Sequence, residues 1–205
     1  MDQNMNFRIS EKIFSNYLSF LIGSFSLLAI LACKENKDRG QEDISAELSE
    51  ESKANRKWPE PSSTMEGIAI YENFEDLEPV FHLENDTTYV INFWATWCKP
   101  CIKELPYFEA VDSIYSDKKL KVVLVSLDFP KQIEDKLVPF VREKKLNSKV
   151  LVLLDGKYNN WIDKVSEDWS GAIPATYIYK GEQTKLIGTS FENLAQIEKE
   201  IKEFL

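Results

Sequence analysis

The sequence from Trp58 to Leu205 predicts an α/β fold, a three-layer α/β/α sandwich around a central mixed sheet. Three observations support this prediction. Short runs of β-branched and aromatic residues alternate with longer stretches in which apolar residues recur at helical spacing. A hairpin pattern follows this alternation, and an amphipathic helix closes the chain. Parallel strands need helical crossovers while hairpin strands are antiparallel, so the sheet is predicted to contain both kinds of pairing.

The first predicted strand and helix lie on either side of the point where the most informative motif of the chain, Cys98 to Cys101, begins. Residues 89–94 (Tyr-Val-Ile-Asn-Phe-Trp) are typical of a buried strand, and a helix is predicted from about Cys98 to Tyr115. Pro106 lies inside this helix and should kink it, because proline lacks the amide hydrogen and clashes with the preceding turn.

The second half of the domain continues the alternation. A stripe of Ile133, Leu137, Phe140 and Val141 makes the helix at 132–145 amphipathic. The predicted elements are a strand at 121–127, this helix, a strand at 150–154, a short helix at 158–165, hairpin strands at 176–179 and 184–189, and a helix at 191–205.

The first 32 residues are typical of an export signal. Arg8 and Lys12 precede an uncharged apolar run, 17–32, which is shorter than the roughly 20 residues of a spanning helix. The end of this run, Leu31-Ala32-Cys33, resembles the lipobox of bacterial lipoproteins, in which the cysteine is acylated. The alternative is an uncleaved N-terminal anchor with an incidental Cys33. Either interpretation predicts an extracytoplasmic domain held at a membrane.

The next segment, 33–57, is predicted to tether the domain to the lipid. Of the 24 residues at 34–57, 13 are charged and none is aromatic. Such a composition cannot bury enough apolar surface to offset the entropy of ordering. A short solvated helix at 42–53 is the alternative, and it would leave the role of the segment unchanged.

The formal net charge of −9 argues against one class of partner. Nucleic acids require a basic surface for their phosphates, so no nucleic-acid partner is expected. Three cysteines are also too few for a disulfide scaffold, and each needs its own explanation.

Cys98 and Cys101 form a Cys-Lys-Pro-Cys motif directly after the predicted strand, at the start of a helix. Unpaired amides and the helix dipole favour an anion there, which lowers the pKa of a thiol and creates the nucleophilic thiolate. The spacing puts both sulfurs on one helical turn. We therefore expect Cys98 to attack and Cys101 to resolve the mixed disulfide. A zinc site is disfavoured because only Cys33 and His82 remain as further ligands, and no metal or cofactor is expected.

The string from Phe93 to Cys101, followed by Glu104-Leu105-Pro106, resembles the thioredoxin-like TlpA/ResA family of extracytoplasmic thiol–disulfide oxidoreductases. The resemblance covers roughly residues 66–205 and implies a thioredoxin-like fold. Asn92 stands where cytoplasmic thioredoxins carry a buried aspartate, and Glu104 matches the acidic residue that this family places near its active site. Pro174 lies 76 positions after Cys98, which leaves room for the extra strand and helix of this family.

The resemblance also implies roles for other residues. Pro174 matches the cis-proline of the fold, and the backbone of Ile173 could then pair with an extended substrate. Trp97 abuts the nucleophile and is expected to contribute to substrate binding. Two interpretations stay open for Glu104: a carboxylate that shuttles the proton of Cys101, or a solvated helix residue. His82 is expected in an edge strand or loop, with a structural or surface role.

The predicted function is reduction of disulfides in exported proteins, for example during cytochrome c maturation. The family resemblance implies a membrane thiol transporter as the electron donor. An oxidant or isomerase is the first alternative, because Lys-Pro does not fix the reduction potential. A metal- or thiol-binding chaperone without turnover is the second. The peroxidase pattern P-x-x-x-T-x-x-C does not fit, since Ala95 stands where the threonine is required.

Overall fold

The computed structural model describes residues 58–205, which form one seven-stranded sheet in the order β1-β2-β5-β4-β3-β6-β7. The strands are β1 Ser63–Met65, β2 Ile68–Tyr71, β3 Thr88–Trp94, β4 Leu120–Ser126, β5 Lys149–Leu153, β6 Ala175–Lys180 and β7 Gln183–Ile187. Strands β2, β5, β4 and β3 are parallel, while β1, β6 and β7 pair antiparallel. The prediction of a mixed sheet is confirmed.

Helices cover both faces of the sheet, which completes the three layers. The α-helices are α1 Phe74–Leu77, α2 Lys99–Ile114, α3 Val138–Lys144, α4 Ile162–Val165 and α5 Leu194–Ile201. Turns of 3-10 helix lie at Glu78–His82, Pro130–Gln132, Tyr158–Asn160 and Lys202–Phe204, and a π-helical turn lies at Ile133–Leu137. The three-layer α/β/α sandwich with thioredoxin-like topology is therefore confirmed.

The two faces of the sheet differ in what covers them. One face packs against α2, α3 and α5 and includes Val90, Trp94, Val122 and Leu124; this face is called the helix-covered face below. The aromatic face lies under the shorter helical turns and is filled by Phe74, Phe81, Phe93, Trp161, Trp169, Tyr177 and Tyr179. Successive residues of β3 alternate between the faces, as the period of a strand requires. All seven residues of β3 are buried, so the strand lies between two cores.

The predicted strands at 89–94, 121–127 and 150–154 agree with β3, β4 and β5 to within one residue at each end. The predicted hairpin strands at 176–179 and 184–189 agree with β6 and β7 to within two residues at each end. The helix around Pro106 is one continuous element, α2. The sequence patterns predict no strand between residues 63 and 71, so β1 and β2 were missed; each has only three or four residues. A run that short has no resolvable period.

Three predicted helices and the predicted edge strand at His82 need correction. The helix predicted at 132–145 is a 3-10 turn, a π-helical turn and then α3, with Pro139 in the first turn of α3. Proline has no amide hydrogen to continue an α-helical ladder from the preceding turn. The predicted helices at 158–165 and 191–205 each divide into an α-helix and a 3-10 turn, and Asn193 caps α5 by accepting from the Gln196 amide. His82 ends a 3-10 turn and lies in no edge strand.

Candidate active site

The cysteine pair lies at the start of α2, where the chain turns after β3. Cys98 is the N-cap residue of α2 and Cys101 lies in its first turn, and the two are joined by a disulfide with Cα atoms 5.3 Å apart. Cys101 is fully buried and Cys98 nearly so. The backbone amide of Cys101 donates to Sγ of Cys98 at 3.3 Å. An amide aimed at sulfur at a helix N-terminus stabilises a thiolate, and so the attacking role fits Cys98 better than Cys101.

Ile173 and Pro174 lie against this sulfur from the other side. The Ile173–Pro174 peptide bond is cis, as the family resemblance implies. The carbonyl oxygen of Ile173 lies 3.9 Å from Sγ of Cys98. Pro174 immediately precedes β6, which pairs with β3. The fold therefore brings Ile173 next to Cys98, although the two residues are 75 positions apart in the chain. A carbonyl beside the reacting sulfur is available to the backbone of an extended substrate.

Glu104 is fully buried on α2, one turn beyond Cys101, and not solvated. Its Oε1 accepts from Nδ2 of Asn92 at 3.0 Å, and its Oε2 accepts from the backbone amide of Phe191 at 2.7 Å. Asn92 also donates to Oγ1 of Thr176 at 3.1 Å. The solvated-residue interpretation of Glu104 is therefore wrong.

Burial sets the protonation of Glu104. Desolvation raises the pKa of this carboxyl from 4.5 to about 7, and the hydrogen bonds from Phe191 and Asn92 oppose that rise. Oδ1 of Asn92 is buried with no hydrogen-bond partner. Exchange of the two amide atoms of Asn92 would let that oxygen accept from a protonated Glu104, so this small network can hold either form of the acid.

Asp128 is a buried carboxylate beside the motif that sequence reasoning missed. It accepts from the backbone amide of Thr96 at 3.2 and 3.0 Å, from the hydroxyl of Thr96, and from the hydroxyl of Ser126 at 2.8 Å. Trp94 pairs with Ser126 in the parallel β3–β4 register, so the residues two positions further along each strand meet. The sequence does contain a signal that could have identified Asp128: it directly follows the predicted strand at 121–127, the second of two parallel strands.

Trp97 is on the surface next to Cys98, with 49% of its area exposed. Its ring stacks on that of Phe129, at 6.1 Å between centroids and 17° between planes. Phe129 was not singled out in the sequence.

The remaining predictions concern metal sites and the membrane. Within residues 58–205 no group of three or more His, Cys, Asp or Glu side chains is arranged to hold a metal ion. No helix in this part of the chain has the length and apolar character needed to span a membrane. Cys33, the export signal at 1–32 and the tether at 33–57 lie outside the described residues.

The region that contains the cysteine motif and Pro174 is similar to known proteins. The model of the AhpC/TSA family matches residues 80–184. Thiol-disulfide oxidoreductase ResA of Oceanobacillus iheyensis is 41% identical over 49 residues, 24% of this chain and 26% of that protein. ResA of Geobacillus kaustophilus is 26% identical over 114 residues, 55% of this chain and 60% of that protein.

A solved structure, that of a thioredoxin-related protein from Neisseria meningitidis serogroup B, superposes with a TM-score of 0.49 at 19% identity. The superposition covers 57% of this chain and 84% of that one. Among the curated relatives just named, the matched region spans between about a quarter and three fifths of their length.

Proposed function

The chain belongs to the AhpC/TSA family, and on that premise we propose that it is a thiol–disulfide oxidoreductase that reduces disulfides of exported proteins. The observation that carries this proposal is the disulfide between Cys98 and Cys101 at the N-terminus of α2, beside the cis Ile173–Pro174 bond. Relatives named thiol-disulfide oxidoreductase support it.

The reaction takes place in two exchanges. In the reduced protein, the Cys98 thiolate attacks one sulfur of a client disulfide, forms a mixed disulfide and expels the other client sulfur as a thiolate. Cys101 then loses its proton and attacks Sγ of Cys98. The Cys98–Cys101 disulfide forms, the second client sulfur leaves as a thiolate, and two electrons have passed to the client.

Glu104 supports the second exchange as the acceptor of the Cys101 proton. A free cysteine thiol has a pKa of about 8.5, so a base with a pKa of about 7 is close enough to share its proton at neutral pH. Glu104 follows Cys101 by one helical turn, and burial excludes bulk water as a competing base. Ile173 and Trp97 bind the client on either side of Cys98.

Return of the protein to its reduced form needs an external dithiol. We assign this role to a membrane thiol transporter, in keeping with an extracytoplasmic domain that is attached through a lipid on Cys33. Mass spectrometry of the protein purified from a bacterial envelope tests the attachment. A diacylglyceryl group on Cys33 at a new N-terminus supports it, and a chain that retains residues 1–32 contradicts it.

The reduction potential separates reductase from oxidant. We expect titration with mixtures of reduced and oxidised dithiothreitol, followed by alkylation of Cys98 and Cys101, to give a value near the roughly −270 mV of thioredoxin. The protein should also reduce insulin. A potential near about −120 mV, typical of a strong oxidant, would assign the alternative role. Copper or zinc binding without insulin reduction would indicate a binding protein.

A further inference from the structure

A cavity of about 500 Å³ lies between α2 and the C-terminal end of α3. This volume is in the range of sites that bind small molecules. Five apolar residues contribute to its lining: Ile102, Leu105, Pro106, Phe140 and Leu146. Neither cysteine of the motif lines the cavity, so it is a feature separate from the disulfide.

The cavity follows one side of α2. Four lining residues fall at positions i, i+3, i+4 and i+7 of this helix, which places them in one stripe: Ile102, Leu105, Pro106 and Glu109. A helix rises about 1.5 Å per residue, so the stripe from Ile102 to Glu109 is about 10 Å long. An elongated apolar lining of this kind suits an extended alkyl chain.

Hydrogen bonds hold the far end of the cavity in place. The carboxylate of Glu109 accepts from the backbone amides of Asn147 at 2.7 Å and Ser148 at 3.1 Å. The amide of Leu146 donates to the carbonyl of Val141 at 3.1 Å. The turn after α3 is therefore tied to α2, and the cavity is built into the fold. Both oxygens of Glu109 are used in this way.

The charged groups of the lining are mostly positive. Three lysines and one glutamate line the cavity, although the whole chain has a formal net charge of −9. Nζ of Lys144 lies 5.9 Å from the centre of the Phe140 ring, and Lys103 pairs with Glu192. Within residues 58–205, no carboxylate lies within salt-bridge distance of Lys145. Cations at the edge of an apolar cavity are complementary to a ligand with an apolar chain and an anionic head group.

We propose that this cavity binds a medium-chain fatty acid, with the alkyl chain along α2 and the carboxylate beside Lys144 and Lys145. One alkyl chain, rather than the two of a phospholipid, matches a single stripe of helix residues. This ligand site goes beyond the proposed function, because it uses neither cysteine and does not depend on the direction in which electrons pass through Cys98.

The test uses the full chain in a bacterial envelope and a decanoate that carries a photoreactive diazirine in its alkyl chain. Illumination attaches the bound probe, and peptide mapping identifies the labelled residues. We expect the label on residues 102–109 and 140–147. Unlabelled decanoate should compete, and hexanoate should need a concentration at least about tenfold higher, because each buried methylene contributes about fourfold to the affinity.

Two variants and a matched control test the apolar and the charged parts of the site. Leu146 is half-buried, and Leu146→Trp places a larger side chain in the cavity, so the label at these positions should be lost. The double variant Lys144→Ser, Lys145→Ser should need about fivefold more probe for the same labelling. Lys157→Ser removes an exposed lysine outside the cavity and should label as the unaltered protein does. Circular dichroism checks that each variant is folded.

Three results would overturn the site: label confined to residues outside the cavity, undiminished label in folded Leu146→Trp, or equal competition by decanoate and decyltrimethylammonium. Displacement of the probe by vesicles of phosphatidylglycerol at lower concentration than by decanoate would also overturn it, in favour of a lipid surface. Insulin reduction by Leu146→Trp should equal that of the unaltered protein. The fatty-acid site and the proposed redox function can therefore fail separately.

Discussion

The two faces of the sheet use adjacent residues of one strand for different purposes. On the aromatic face, Phe93 packs its ring against Trp169, with centroids 4.3 Å apart, and near Phe81 and Trp161. On the helix-covered face, its neighbour Asn92 donates to Glu104 and leaves a buried oxygen without a partner. One face is packed as an apolar core, while the other keeps a buried acid beneath the reactive cysteines. Stability and chemistry are therefore separated by a single step along β3.

The largest expected effect is on the aromatic face. Phe93→Ala removes a ring that contacts three other aromatic rings, and we expect the free energy of unfolding to fall by about 3–5 kcal/mol. Chemical denaturation monitored by circular dichroism measures the loss. Insulin reduction per folded molecule should remain close to that of the unaltered protein. A stable variant with low activity would break the separation of the two faces.

On the helix-covered face, Glu104→Gln should have the reverse effect of Phe93→Ala. It should alter the activity without lowering the free energy of unfolding. The pKa of Glu104 is raised to about 7 in the folded protein, so the folded state holds a proton that the unfolded state releases above about pH 4.5. The stability of the unaltered protein therefore falls as the pH rises from about 4.5 to 7, by up to about 3 kcal/mol. Glutamine can donate to Asn92 while it accepts from Phe191, and it does not ionise.

Denaturation at several pH values checks this expectation. The Glu104→Gln variant should become more stable than the unaltered protein as the pH rises through this window, and the difference should level off above pH 7. Its disulfide-reduction rate should lose the pH dependence that is centred near 7. An unchanged rate profile would remove Glu104 from the mechanism, whatever the stability shows.

Tyr179→Phe tests a polar group on the aromatic face. The Tyr179 hydroxyl donates to the carbonyl of Val80 and accepts from the amide of Leu83, and burial raises its pKa. Its removal leaves both buried groups unpaired, so we expect a loss of about 1–3 kcal/mol in the free energy of unfolding. The pH profile of insulin reduction should stay as it is. A shifted profile would mean that the aromatic face also tunes the cysteines.

The smallest effect is expected at an exposed ion pair near the site. Lys103 immediately precedes Glu104 and lies 2.9 Å from Glu192, and both side chains are well exposed. Lys103→Ala should change the free energy of unfolding by less than about 0.5 kcal/mol, because water and salt screen such pairs. The pH profile should also be retained, since desolvation rather than a neighbouring charge raises the pKa of Glu104. A shifted profile would contradict that cause.

The sequence predicted the parts of the site that are local in the chain. The strand before Cys98, the cysteine motif and the helix that begins within that motif follow one another directly, so period and spacing were sufficient. The buried position of Glu104 was not determined in this way. Its partners Asn92 and Phe191 come from β3 and from the segment before α5, and only the assembled fold brings them together.

Long-range register explains the other misses. Asp128 meets Thr96 across 32 residues because β3 and β4 pair in parallel with Trp94 opposite Ser126. The stack of Trp97 on Phe129 depends on the same register. Phe74 and Trp161 stack on the aromatic face, but Phe74 begins a four-residue helix and Trp161 lies just before another. Helices that short show no periodicity in the sequence.

Trapping of the mixed disulfide tests the central claim most directly. The reduced Cys101→Ala and Cys98→Ala variants are each mixed with a disulfide-linked peptide dimer, and the products are identified by intact mass and peptide mapping. Cys101→Ala should accumulate one peptide in disulfide linkage to Cys98, because nothing resolves it. Cys98→Ala should form little or no adduct, since Cys101 is fully buried. An adduct that forms on Cys101 as fast as on Cys98, or no adduct in either variant, would contradict the assignment of Cys98 as the nucleophile.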